Sequence, residues 1–259
     1  MKLLVISDLH SNIWALEAVL SREQDYDLLC CAGDLVDYGT APCEVVDRMQ
    51  DIGKKILVRG NHDVHTVNIY KENKFQTVSP EEYKWVHHNC RRLGAERISY
   101  LNSLPEHETF EADGCVYLIR HQYDAGYGTI ESRSQFDRYW AAYADQRYAD
   151  AKNRRMIFGH SHRQCIHVLD EGMLWLNPGS ISYRRPDDPD KTAHYAVIEN
   201  GEISLKRVSY DRSCLFREAR ELAEKHGMME TELQDFFFFF GDAVTSRDPL
   251  PVYESEEKL

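Results

Sequence analysis

KLLVIS at residues 2–7 runs into DLHSN at 8–12, and apolar residues then recur at Ile13, Leu16, Val19 and Leu20. A near-continuous apolar run with β-branched members reads as a strand buried on both faces, and the three-to-four spacing reads as an amphipathic helix. The unit is strand, polar loop, helix, and it recurs. DLLCCA at 27–32 enters GDLVDYG at 33–39, and Val45, Met49 and Ile52 then share a helical face. KKILV at 54–58 enters RGNHD at 59–63. Strands alternating with helices predict an α/β fold with a parallel core.

The rhythm changes further along. Ser79, Pro80 and Glu82 form a helix-start pattern, followed by a stripe of Tyr83, Val86, Cys90 and Leu93 that predicts helix over 79–103. Phe136, Tyr139, Trp140 and Tyr143 mark a second helical pattern over 134–151, expected to pack as core or lid rather than to stack on substrate. Strand signals return at CVYLIR (115–120), MIF (156–158), MLWL (173–176), HYAVIE (194–199) and EISLKRVS (202–209). Asn200-Gly201 between the last two is a strong hairpin signal, so the second half contains antiparallel pairing. Together these predict two packed sheets with outer helices.

Residues 1–210 read as one domain. Residues 211–245 read as a helical extension, with an amphipathic stretch at 213–227 ended by Gly227, and 246–259 as an acidic tail. Phe236 to Phe240 form an unbroken run of five. Exposed, such a run is an aggregation hazard, so it is expected to bury against the domain or against a second copy in a homo-oligomer.

Composition narrows the function classes. The 259 residues carry 31 Lys and Arg against 43 Asp and Glu, a net charge of −12. That disfavours a partner of long nucleic acid, which needs a basic footprint. A small anionic substrate is still compatible, because a bound cation inverts the local field. No stretch reaches the roughly 18 apolar residues of a membrane span. Asp8 and His10 interrupt any reading of the first residues as a secretory leader. Seven cysteines, an odd number without a CxxC pair, predict reduced thiols and a cytoplasmic location. GHSHR at 159–163 lacks the second glycine of a serine-hydrolase elbow, and no P-loop pattern is present.

The chemistry-bearing residues share a position. Five apolar runs each end in His, Asp or Asn: Asp8 and His10, Asp34, Asn61 and His62, His121, and His160 and His162. Side chains from distant sequence converge at the carboxyl ends of strands in α/β sheets. Mixed imidazole and carboxylate donors suit divalent transition metals.

As an ordered series, DLH, GDLVDYG, RGNHD and GHSH resemble the calcineurin-like metallophosphoesterase superfamily, and NPGS at 177–180 extends the likeness to about residue 180. The length is similar to that of small prokaryotic single-domain members. The resemblance implies a four-layer αββα sandwich, two mixed sheets packed face to face with outer helices; it does not cover the chain after about residue 211, where the C-terminal helical extension is read from the residues alone. It also implies two divalent metal ions, manganese first, with iron, zinc, nickel or cobalt as alternatives. Asp8, His10 and His162 would hold one ion and Asn61, His121 and His160 the other, with Asp34 bridging; His107 is the alternative to His121. His62 would face substrate as the catalytic histidine, oriented by Asp37. Arg59 would bind the substrate phosphate, with Arg184 and Arg185 as further candidates. Four positions depart from the family pattern: Ser11 and Gln122 where glycine is usual, and Tyr38 and Asp63 where the protein-phosphatase branch has Arg and Glu.

The activity so implied is hydrolysis of a small phosphodiester, phosphomonoester or nucleotide by in-line attack of a metal-bridging hydroxide. The alternatives are a phosphoprotein phosphatase and a non-catalytic metal-binding scaffold of the same fold.

Overall fold

The computed structural model describes residues 1–182, 185 and 191–241. Ten strands and seven α-helices lie among them: β1 Lys2–Ile6, α1 Ile13–Arg22, β2 Leu28–Cys31, α2 Pro42–Asp51, β3 Lys55–Leu57, α3 Asn61–Glu72, α4 Trp85–Ser103, β4 His107–Ala112, β5 Cys115–Arg120, α5 Arg133–Tyr143, β6 Arg154–Ile157, β7 Cys165–Asp170, β8 Met173–Asn177, β9 Ala193–Glu199, β10 Glu202–Val208, α6 Ser213–His226 and α7 Glu230–Phe240. They build two mixed five-stranded sheets, ordered β10-β9-β1-β2-β3 and β4-β5-β6-β8-β7. Within them β1, β2 and β3 run parallel, as do β5, β6 and β8.

Alternation along the first strand explains the layers. Leu3 and Val5 point into a cluster shared with Tyr117, Ile119, Ile157 and Leu176 of the second sheet. Leu4 and Ile6 point the other way, against Leu16, Val19, Val45 and Leu101 of the helices. Side chains alternate faces along a strand, so a strand apolar on both faces is sandwiched between sheet and helices. On the far side Phe136, Tyr139 and Trp140 of α5 cover the second sheet through Met156 and Trp175. This is the expected four-layer αββα sandwich, and the aromatic stripe of α5 is core.

Three details differ from the sequence reading. Pro80–Glu82 is a separate 3-10 turn, and α4 starts only at Trp85. Tyr83 between them is extended because its ring is buried, with the Arg91 guanidinium 4.5 Å above it. Tertiary burial here overrides the local start signal. The pattern over 134–151 gives a helix only to Tyr143, followed by a 3-10 turn at Gln146–Tyr148 that the Asp145 side chain caps. β4 and β7 are strands in polar stretches, HETFEA and CIHVLD, which lack a continuous apolar run because they are the edges of their sheet.

The phenylalanine run forms the last turns of α7. Phe236, Phe237 and Phe240 are buried with Trp85, Leu215 and Ala219, and none of the five is exposed. Burial within one chain therefore covers three of the five and leaves Phe238 and Phe239 partly open. The acidic tail at 246–259 and Arg184 lie outside the described residues. No described helix is long and apolar enough to cross a membrane.

Candidate metal centre

The parallel strands of both sheets end at one edge of the sandwich, and the loops that leave them are tied together. Asp8 N donates to Gly33 O at 3.0 Å, Leu9 N and His10 N to Asp34 O at 2.8 and 3.0 Å, and Ser11 N to Leu35 O at 2.9 Å. Gly60 N approaches so closely that a Cβ there would overlap the Asp34 carboxylate. Among the described residues, Asp8, His10, Ser11, Asp34, Asp37, Tyr38, His160 and His162 all have positive φ, between 45° and 73°. A left-handed backbone is unfavourable for these residue types and persists only where the surroundings impose it. Ser11 is fixed by a 2.5 Å hydrogen bond from its hydroxyl to Asn89 Oδ1.

The side chains converge in two groups. Asp8, His10 and His162 bring ligand-type atoms within 4.8 Å of one another, as do Asp8, Asp34 and His121. His10 Nε2 and His162 Nε2 face each other at 3.3 Å, and His162 Nε2 lies 3.2 Å from Asp8 Oδ1. Asn61 Oδ1 sits 2.8 Å from His121 Nε2 and 2.9 Å from His160 Nδ1. Asp34 Oδ2 stands between the groups, 3.1 Å from His121 Nε2 and 3.9 Å from His10 Nε2. His107, the alternative to His121, begins β4 and packs on Tyr143 instead.

The donor set fits divalent cations on two observations. First, each carboxylate spends Oδ1 on a backbone N–H, Asp8 on His160 at 3.1 Å and Asp34 on His62 at 2.8 Å. Both Oδ2 atoms are buried; Asp8 Oδ2 accepts no hydrogen bond from the described residues, and the ring nitrogen nearest Asp34 Oδ2 is His121 Nε2 at 3.1 Å. A buried carboxylate oxygen without a donor is costly unless a cation meets it. Second, two imidazoles have their tautomers set by carbonyls, which only accept. His121 Nδ1 donates to Ala32 O at 2.7 Å and His160 Nε2 to Gly126 O at 3.1 Å. In their neutral forms, which a bound cation would impose, the opposite nitrogens turn lone pairs toward Asn61 Oδ1.

Charge is uneven across the cluster. Burial opposes ionisation of Asp8, but the His162 and His121 imidazoles hold it down at about 2. Asp34 is likewise held well below the carboxylate range by His121, His62 and His10, against its burial. Burial pushes His10 down to about 3, so its ring is neutral. His121 is pushed up to about 9, because the Asp34 carboxylate outweighs burial.

His62 lies beside these groups, its ring 5.2 Å from that of His10. Its Nδ1 is 2.9 Å from Asp37 Oδ2. Burial lowers its pKa, but Asp34 and Asp37 win and raise it to about 9. The Tyr38 ring packs against it, tilted by 52° with centroids 4.6 Å apart. Arg59 stands apart: its guanidinium donates to Glu106 Oε1 at 2.6 Å and Asn102 O at 3.4 Å, while lining a cavity of about 250 Å³ with Asn61 and His121. Arg185 Nη1 donates to Ser161 O at 3.2 Å, between the two histidines of GHSH.

Three supporting side chains escape the sequence reading. Asp63 accepts the N–H groups of Asp34, Leu35, Val36 and Gly60, and burial with the Asp34 charge pushes it up to about 7. Asn89 of α4 accepts from Asp37 N at 3.0 Å and donates to Gly39 O at 3.0 Å. Asn177 of NPGS donates to Gly159 O at 2.6 Å, which makes that turn a brace for GHSH. Only the polar type of Asn89 and its place on a helix are visible in sequence, and neither signals this contact.

An uncharacterized protein of Methanocaldococcus jannaschii is 28% identical to the chain over 228 residues, 80% of this chain and 87% of the relative. The crystal structure of a metallophosphoesterase from Sphaerobacter thermophilus superposes with a TM-score of 0.69 at 24% identity, covering 91% of this chain and 98% of that one. A hypothetical protein from Pyrococcus horikoshii superposes with a TM-score of 0.67 at 16% identity, covering 92% and 97%. These likenesses establish the fold. The model of the calcineurin-like phosphoesterase superfamily domain matches residues 1–201, the stretch that holds every side chain of the cluster, and the chain belongs to that superfamily.

Proposed function

We propose that the chain is a metal-dependent phosphoesterase that hydrolyses a small phosphodiester, phosphomonoester or nucleotide. The observation that carries this reading is the convergence of two buried carboxylate oxygens, Asp8 Oδ2 and Asp34 Oδ2, the first without a hydrogen-bond donor among the described residues, with five imidazole and amide side chains. Asp8, His10 and His162 would hold one divalent ion, Asn61, His121 and His160 a second, and Asp34 both. Manganese is the first choice, and iron, zinc, nickel and cobalt suit the same donors. Such ions supply positive charge to the phosphoryl oxygens and acidify water for in-line attack.

The chain's own residues do the rest. Asp37 holds His62 through Nδ1 and favours its protonated form, so Nε2 is the nitrogen that donates to the leaving oxygen. The hydrogen-bonded loops fix Asp8 and Asp34 before substrate arrives, so no ordering cost falls on binding. Arg185 lies where its guanidinium can join phosphate binding. Arg59 already lines the cavity beside Asn61 and His121, and release from Glu106 would free its guanidinium for phosphate.

The test is to strip the protein of metal and assay p-nitrophenyl phosphate and bis-p-nitrophenyl phosphate with each ion restored singly, beside His62→Ala. Activity that returns with a transition metal and is lost in the variant is the expected result. Two bound ions without turnover of either ester in any metal form would favour the scaffold reading instead.

A further inference from the structure

Tyr127 is 75% exposed, the most exposed of the large apolar side chains among the described residues. It is also ordered by its surroundings. Its ring stacks on His160 with centroids 4.9 Å apart and planes 15° from parallel. The loop around it is braced: Asp124 Oδ1 accepts from Gly126 N at 2.9 Å and Gly128 N at 3.2 Å, and Gly126 O accepts from His160. Tyr139 OH donates to Gln122 O at 3.0 Å and fixes the start of the loop to α5. One face of the ring therefore lies on the metal cluster and the other is held open to solvent.

We propose that Tyr127 is a stacking platform for a nucleobase, so that the substrate is a nucleotide-type phosphoester rather than a sugar phosphate or an alkyl phosphate. The inference rests on the phosphoesterase reading and deepens it. The cavity beneath Tyr127, bounded by Tyr123, Ile130, Phe158 and Trp175, measures about 30 Å³. That is room for about two waters and not for a ring, so the guest lies on the outer face. A ring stacked there is two aromatic spacings from His160, on the order of 10 Å. A phosphoryl group must span that distance to reach the cluster. A sugar between base and phosphate supplies the span, whereas the single ester oxygen of an aryl phosphate does not. Stacking also tolerates any base, because every base has a π-face.

The experiment measures equilibrium binding to the metal-loaded protein in the His62→Ala background, so that no ligand is consumed. The probes are inorganic phosphate, ribose 5-phosphate, phenyl phosphate and adenosine 5′-monophosphate. The nucleotide should bind about 5- to 150-fold more tightly than ribose 5-phosphate. Adding Tyr127→Ala should abolish that ratio and leave ribose 5-phosphate and metal content unchanged, while Tyr127→Phe keeps the ratio. Equal binding of nucleotide and ribose 5-phosphate, a ratio that survives Tyr127→Ala, or phenyl phosphate binding as tightly as the nucleotide overturns the platform and leaves the phosphoesterase reading standing. Failure of all four ligands, inorganic phosphate included, removes the phosphoesterase reading and the platform with it.

Discussion

Asp63 Oδ2 accepts the backbone N–H of Asp34 at 3.0 Å, so one buried carboxylate holds the loop that aims another. Oδ1 of the same side chain takes Leu35 N and Val36 N at 2.9 and 3.2 Å. Asp34 is left-handed, and the first turn of α3 holds it twice, through Asp63 and through His62 N, which donates to Asp34 Oδ1 at 2.8 Å. Asp63→Ala leaves four buried N–H groups without their acceptor. Each such group costs about 1–3 kcal/mol, and loss of a support behind metal ligands costs about 10–100-fold in metal affinity. Urea unfolding of the metal-free variant and metal titration of the folded variant are the checks. Wild-type values for both would show that the loop holds its shape unaided.

The contact between His62 and Asp37 makes a prediction for the metal-free protein. His62 is pushed up to about 9 because the Asp34 and Asp37 carboxylates outweigh its burial. Removing the Asp37 charge removes part of what favours the imidazolium, so Asp37→Asn moves the pKa down. Histidine resonances followed by NMR against pH read this directly. An unchanged His62 midpoint would mean that Asp37 orients the ring without charging it. In the metal-loaded enzyme the same variant should lose up to about 10²–10⁴-fold in kcat, the range of one general acid.

The cluster was legible in sequence for a physical reason. Each of its members ends or follows an apolar run, and parallel strands put such ends at one edge, so Asp8, Asp34, Asn61, His121 and His160 could be gathered before any geometry was known. Asp63 and Asn89 were not legible as supports, because their work is done on backbone N–H groups and carbonyls that no side-chain pattern reveals. Edge strands β4 and β7 were missed for a related reason: one half-solvated face removes the continuous apolar signal. Ser79 misled because the helix-start pattern is local, while the burial of Tyr83 that displaces the start is tertiary.

Glu23 offers a test of stability far from the cluster. It is buried at the end of α1, where Lys206 and Lys2 reach it at 3.0 Å each and Tyr195 OH donates at 3.0 Å. Burial raises its pKa, but these three partners outweigh it and the carboxyl sits below its ordinary value. A carboxyl with a depressed folded pKa stabilises above its unfolded pKa, and the contribution fades as pH falls through the folded value. Glu23→Gln should therefore cost about 1–3 kcal/mol at pH 7, and the gap from wild type should narrow below the ordinary carboxylate range. Urea midpoints of the metal-free proteins at pH 7, 5 and 3.5 measure this. A gap constant with pH would assign the loss to packing instead of charge.

The phenylalanine run separates into buried and partly buried members, and the two should behave differently. Phe236 is 2% exposed, with its ring 4.5 Å from Phe240 and 4.6 Å from Trp85. Phe239 on the same helix is only half-buried. Phe236→Ala opens a cavity where α7 meets α4, at a cost of about 3–5 kcal/mol. For a chain of this size that lowers Tm by about 6–20 °C. Phe239→Ala should shift Tm by a few degrees at most. Tyr38 packs against the apolar cluster that holds Phe236, and its ring lies 4.6 Å from that of His62. Loosening α7 therefore also loosens the wall beside His62, and at temperatures well below Tm the kcat of Phe236→Ala should be reduced while that of Phe239→Ala is not. Scanning calorimetry and steady-state kinetics on the two variants decide the matter. Equal Tm shifts would show that the helix is held as a whole and not through its buried face.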